Sequence, residues 1–278
     1  MRLEELHLEL TRNCTIECEH CLRGDRQMAY MDLSILEEIF KHVEYVDGLV
    51  LTGGEPLLAI EALEKLAEIL KNGRVKVRQI RIATNGTVFG KRIINVLKEL
   101  NKYAVIKFRV SDNIFHRLEF DRLKLNEIRN KNLKIMRSLD LHWDYKEDYG
   151  KEECSDIKLS LVRRGRAANL TQERLAEINS LSPQKYVISD SLVRHPFTTI
   201  AFGSVRGYIC IDVYGNIVNY SQSFDAEDKE ASETKLNIMK MPFEDVVMEF
   251  IKKNHQGIEE YFKDPQKAIN KEKQLLLK

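Results

Sequence analysis

Asn13-Cys14-Thr15-Ile16-Glu17-Cys18-Glu19-His20-Cys21 is the stretch on which the reading of this chain turns. It holds three of the five cysteines, spaced Cys-x3-Cys-x2-Cys. Thiolates this close in sequence can converge on one metal centre, and all-thiolate ligation suits soft metals and iron–sulfur clusters. A structural zinc would need a fourth ligand, and His20 is the local candidate. A 4Fe–4S cluster on three cysteines would instead leave one iron open to a small molecule.

Working outward, Glu5 to Thr11 precedes this loop as a short strand in which Leu6, Leu8 and Leu10 alternate with His7, Glu9 and Thr11. Beyond the loop, Asp32 is placed to cap a helix over Leu33 to Glu44, with Leu36, Ile39, Phe40 and Val43 on one face. Gly48 to Leu51 reads as a buried strand that ends in Thr52-Gly53-Gly54-Glu55-Pro56. Helix, strand and helix follow over Ile60–Leu70, Val77–Ala83 and Lys91–Leu100, and a fourth strand over Ala104–Val110. The third strand ends in Thr84-Asn85-Gly86 and the fourth in Ser111-Asp112-Asn113. Strand and helix in alternation predict a parallel sheet, whose ligands gather at the carboxyl ends of the strands.

The later pattern is less regular. Leu118 to Leu139 is mostly helical, Leu139 to Tyr145 alternates like a strand, and Tyr145 to Ser155 reads as an acidic loop. Ile157 to Val162 is a sixth strand candidate, followed by Gly165-Arg166-Ala167 and a helix over Leu170 to Leu181. Strands are expected at Thr198–Phe202 and Tyr208–Val213, with a turn at Tyr214-Gly215 and a return over Asn216–Tyr220. Ser221 to Glu233 reads as a polar loop. An amphipathic helix is expected from Met241 to Lys252, with one or two more over Gly257 to Leu277.

Composition narrows the function. Lys and Arg number 44 against 43 acids, so no bulk positive field points to nucleic acid. Charges interrupt every apolar run at the N-terminus, which excludes a signal peptide or membrane span there. An odd cysteine count with three clustered argues against a secreted disulfide framework and for a reducing cytoplasm. Cys154 and Cys210 are too few for the usual four-cysteine set of a second cluster.

The cysteine spacing after a first strand resembles the cluster loop of the radical S-adenosylmethionine (radical SAM) superfamily. Gly53-Gly54-Glu55-Pro56 is similar to that family's second hallmark, Thr84-Asn85 to its third strand end, and Ser111 and Asp112 to the pair after its fourth strand. The resemblance implies an α/β fold, a partial (β/α)6 TIM-like barrel, over residues 1–185. It implies a 4Fe–4S cluster on Cys14, Cys18 and Cys21, with S-adenosylmethionine on its open iron. The cofactor is expected to meet Gly53, Gly54, Glu55, Pro56, Thr84, Asn85, Ser111, Asp112, Arg166 and His20. One electron, from a donor such as flavodoxin or ferredoxin, then cleaves the cofactor to methionine and a 5′-deoxyadenosyl radical that abstracts hydrogen from a substrate. Such an enzyme is oxygen-sensitive.

Gly165-Arg166-Ala167 and the hairpin over Tyr208–Tyr220 look like the subgroup with a C-terminal SPASM or twitch extension, here a small α+β region over residues 186–278. Tyr220 stands where that subgroup closes its hairpin with cysteine, so no auxiliary cluster is expected. The subgroup implies a peptide or protein substrate. With the first strand almost at the start of the sequence, no N-terminal recognition domain is expected, and such a substrate would need a recruiting partner or bind the barrel mouth directly. The alternatives are a small metabolite, a glycyl-radical activase, and a zinc-stabilised binding module on the three cysteines and His20. Cys154 is also a candidate hydrogen-atom donor to a substrate radical.

Overall fold

The computed structural model describes residues 1–139, 141–143, 158–162, 165–183, 185–189, 199–201, 204–218 and 236–263. The first half alternates as expected: β1 (Arg2–Thr11), α1 (Leu33–His42), β2 (Tyr45–Gly53), α2 (Ile60–Lys71), β3 (Lys76–Thr84), α3 (Lys91–Leu100) and β4 (Val105–Val110). Then come α4 (Ile114–Arg122), α5 (Asn126–Ser138), β5 (His142–Trp143), β6 (Lys158–Val162), α6 (Gln172–Leu181) and β7 (Lys185–Ser189). The last elements are β8 (Thr199–Ala201), β9 (Ser204–Ile211), β10 (Ile217–Val218) and α7 (Phe243–Lys263).

The main sheet runs in the order β10-β9-β1-β2-β3-β4-β5, with β8 paired to β9, while β6 and β7 pair in a second, parallel sheet. All pairings from β9 to β5 are parallel, the pattern of an α/β partial barrel. The alternation in β1 has the predicted consequence: Leu6, Leu8 and Leu10 are buried in the main core, while His7 turns to the other, concave face. The helices cover the convex side. Ile35, Leu36, Ile39 and Phe40 of α1, Leu63 and Leu66 of α2, and Val96, Leu97 and Leu100 of α3 join that core. Each such side chain contributes about 1.5–3 kcal/mol relative to exposure. The Asp32 cap on α1 is made, with Oδ1 accepting from Ser34 N at 2.8 Å.

Several boundaries differ from the sequence expectations for local reasons. The helical run over Leu118–Leu139 is two helices, parted where Lys124 takes a left-handed φ of 56°. The strand expected to reach Val213 stops at Ile211, because the Asp212 carboxylate accepts from Tyr214 N and Asn216 N (both 2.9 Å) and folds the chain into a turn. β7 was not foreseen. The last helix runs unbroken through Gly257 to Lys263 instead of restarting there. β9 belongs to the same sheet as β1, although it comes from the region assigned to a C-terminal extension. Cys154, Tyr220, the acidic loop and the Ser221–Glu233 segment lie outside the described residues. No described helix is long and apolar enough to cross a membrane.

Candidate active site

The loop after β1 folds back over the carboxyl ends of the strands, because the end of β2 is tied to its start. Gly54 N donates to Thr11 O at 2.7 Å and Glu55 N to Asn13 O at 2.8 Å. This approach leaves no room for a side chain: a Cβ on Gly54 would stand 2.2 Å from Asn13 O and 3.0 Å from Cys14 Cβ. The sequence predicts glycine here for approach to a cofactor, and the structure adds approach to the cysteine loop itself.

A cavity of about 260 Å³ opens above this junction, and Cys14, Cys18 and Cys21 all line it. Gly53, Gly54, Asn85, Ser111, His20 and Arg166 share its walls, so the structure brings six of the ten expected cofactor contacts together around the three thiols. Asn85 Nδ2 donates to Thr15 Oγ1 at 3.0 Å and to the Cys14 sulfur at 3.6 Å, a polar support beneath a ligating thiol. Arg166 N donates to Cys21 O at 2.9 Å, and its side chain lies between Glu17 and Asp25. The His20 ring stacks on Phe115 with centroids 4.5 Å apart, and Asn113 Nδ2 meets its Nε2 at 3.1 Å. Burial pushes His20 down to about 4, so it is neutral.

The other four expected contacts do not line the cavity; three of them are held by protein partners. The Glu55 carboxylate is fully buried and accepts from Thr84 Oγ1 (2.8 Å), Asn85 N (2.8 Å) and Leu57 N (3.2 Å). Burial pushes it up to about 7, against the pull of those donors. It therefore locks the end of β2 to the end of β3. Thr84 is spent on that contact and Pro56 is buried below it. Asp112 pairs with Arg129 at 3.2 Å and Arg117 at 3.3 Å.

The sequence reading missed Arg12, Arg23 and His116, which also line the cavity. Glu9, buried on β1, accepts from Arg23 Nε at 2.8 Å and Arg12 Nε at 3.3 Å, which explains how a carboxylate is tolerated there. A charge inside an apolar strand was the available signal. His116 Nδ1 meets Asn113 Oδ1 at 2.6 Å, and Asn113 also caps α4. A second clasp joins α6 to the cysteine loop: the Arg174 guanidinium grips Glu19 with Nη2 at 2.6 Å and Nε at 2.9 Å.

The donor set fits an iron–sulfur cluster. Three thiols face one cavity, and all-thiolate ligation suits such a cluster. Burial raises Cys14 to about 11, with the charges of Glu55 and Cys21 adding to it, and raises Cys18 as well. Thiolates in such a place depend on a bound cationic centre.

Residues 8–141 match the Radical SAM superfamily. The chain is 28% identical over 148 residues to GTP 3′,8-cyclase of Synechocystis sp., covering 50% of this chain and 42% of that protein. It is 29% identical over 133 residues to a Methanocaldococcus jannaschii protein named as a glycyl-radical enzyme activating enzyme, MJ1227, covering 44% and 51% respectively. The chain thus spans about half the length, or less, of these curated relatives. The solved structure of native anSMEcpe with bound AdoMet and Cp18Cys peptide superposes with a TM-score of 0.51 at 15% identity, over 91% of this chain and 84% of that one. That likeness is one of fold.

Proposed function

With residues 8–141 a radical SAM domain, and the chain therefore an enzyme whose cofactors are a 4Fe–4S cluster and S-adenosylmethionine, we propose that Cys14, Cys18 and Cys21 hold the cluster and that a substrate seated on the concave face of the sheet loses a hydrogen atom. When bound, the cluster and cofactor supply the one-electron cleavage that yields methionine and a 5′-deoxyadenosyl radical. The observation that carries this reading is the shared wall: all three cysteines, the backbone of Gly53 and Gly54, Asn85 and Ser111 face one cavity.

The chain's own residues prepare that cavity. Gly54 and Glu55 main-chain amides fix the start of the cysteine loop, and Arg166 and Arg174 fix its far side. Asn85 supports Cys14, and Ser111 with Arg166 presents polar groups towards a cofactor carboxylate or ribose. Thr52 and Ala83 reach the same cavity from the concave face, so a substrate below it abuts the cofactor. Residues 1–185 serve as the barrel and 186–278 as its cover in this reading, in the cytoplasm, with flavodoxin or ferredoxin as the electron donor. The substrate is a peptide or protein side chain, as the Gly215-Asn216 hairpin resemblance implies. A small metabolite is the second reading, favoured by the charged, partly exposed inner wall described below.

The test is anaerobic incubation of reconstituted protein with S-adenosylmethionine and dithionite, with and without candidate peptides. Release of 5′-deoxyadenosine is expected from the wild type and not from Cys14→Ala, Cys18→Ala or Cys21→Ala. A single-cysteine variant that keeps both brown colour and cleavage overturns the assignment.

A further inference from the structure

Alternation gives every second residue of the main sheet to the concave face, and one row of them is connected by side chains across four strands. Arg81, on β3, reaches over β2 and donates Nη2 to Glu5 Oε2 on β1 at 2.8 Å. It can cross because Gly48 lies between: a Cβ there would stand 2.9 Å from Arg81 Nη2. Glu5 also meets His7 Nε2 at 2.6 Å, and the His7 ring lies edge-on to Tyr208 of β9, with centroids 5.4 Å apart. On the other side, Lys107 of β4 stands opposite Arg81 in the strand register.

Two features separate this lane from an ordinary ion pair. The guanidinium is incompletely satisfied, with Arg81 Nε buried and lacking any hydrogen-bond partner. A buried donor left unmet is destabilising, and an incoming acceptor would relieve that cost. The lane is also open, since the Arg81 side chain is 34% exposed. Position matters as well. Thr52 and Ala83 line the cysteine cavity, and Arg81 lies two residues below Ala83 on β3, roughly 7 Å at the usual strand rise.

We propose that this lane is an anion-binding site for the substrate, in which a carboxylate or phosphate oxygen completes the donor set of Arg81 while Glu5 holds the guanidinium flat over Gly48. Arginine suits the task because its planar fork can meet two oxygens of such a group at once. The substrate class is then an acid or a phosphate ester whose charged group is anchored below the cofactor. This rests on the reading that substrate occupies the concave face.

The experiment uses the reconstituted full chain saturated with S-adenosylmethionine, so that the cofactor's own carboxylate site is filled. Calorimetric titration at low salt is run with inorganic pyrophosphate in one arm and glutarate in the other. At least one anion is expected to bind saturably at one per chain, and the responding arm tells phosphate from carboxylate. Arg81→Gln should weaken that binding at least tenfold, and Arg81→Lys, which keeps the charge but loses the planar fork, several-fold. Iron content is the folding control. If Arg81→Gln does not fold, Arg81→Lys decides: weaker binding upholds the site and unchanged binding overturns it. Failure of both anions to bind the wild type, or equal binding by Arg81→Gln, also overturns it. Arg81-dependent binding in a protein that releases no 5′-deoxyadenosine would uphold the anion site while sinking the proposed function.

Discussion

Replacing Gly54 by alanine tests how the cysteine loop is held. The new Cβ would meet Asn13 O at 2.2 Å, Asn13 C at 2.7 Å and Cys14 Cβ at 3.0 Å. Two of these three atoms are backbone, so no rotamer change relieves the overlap. Bringing the carbonyl oxygen to a tolerable 3.0 Å needs a separation of 3.0 − 2.2 = 0.8 Å between the end of β2 and the start of the loop. That movement strains two hydrogen bonds, Gly54 N to Thr11 O and Glu55 N to Asn13 O. At about 0.5–1.5 kcal/mol each, their loss costs about 1–3 kcal/mol. Cys14 moves with Asn13. Iron loading and cofactor binding should therefore fall together, although the sequence alone predicts a loss mainly of cofactor affinity on Gly54→Val. The assays are iron per chain after anaerobic reconstitution, equilibrium dialysis with S-adenosylmethionine, and the thermal midpoint, with Gly90→Ala as a control because no atom lies within 4 Å of its Cβ position. Full iron loading in Gly54→Ala, with only cofactor binding lost, would refute the claim that this glycine pins the loop.

Three further outcomes are expected. Removing Cys154 and Cys210 together should leave about four irons per chain and the paramagnetic signal of the reduced protein unchanged, whereas loss of half the iron would reveal a second cluster. Arg174→Ala, which frees Glu19 on the cysteine loop, should change stability by no more than about 1 kcal/mol, since the pair is partly exposed, yet speed iron loss to a chelator; an unchanged rate would show that the clasp is idle. Burial, with the Arg129 cation nearby, holds His116 well below its ordinary 6.5. The unfolded chain then takes up a proton below that pH that the folded chain refuses, so this stability is complete above 6.5 and is lost as pH falls, by at most about 1.4 kcal/mol per pH unit. The thermal midpoint of cluster-free protein should drop less steeply from pH 7 to 5 in His116→Gln than in wild type, and equal slopes would contradict the assignment.

What could be read from the sequence was local. The Leu6, Leu8 and Leu10 alternation, the three-cysteine spacing and the Asp32 cap each depend on neighbours within a few positions, and each has its structural counterpart. What could not be read depends on partners far along the chain. Nothing near Gly48 announces that Arg81 must pass over it, and nothing near Glu19 points to Arg174, 155 positions away. Glu55 shows the difference most clearly. A carboxylate after paired glycines at a strand end suits a ligand's amino group as well as it suits a protein donor. The choice is made by the end of β3, which offers Thr84 Oγ1 and Asn85 N at 2.8 Å each and seals the carboxylate from the cavity. With Glu55 so engaged, the Gly53-Gly54-Glu55-Pro56 turn acts first as a junction. Its amides hold the cysteine loop on one side, and its carboxylate holds the third strand on the other. Asn85, fixed by that carboxylate through its backbone, is thereby brought under Cys14. The glycine motif, the third strand end and the cysteines are thus mechanically one unit, so a substitution in any of them should be felt at the thiols before it is felt anywhere else in the cavity.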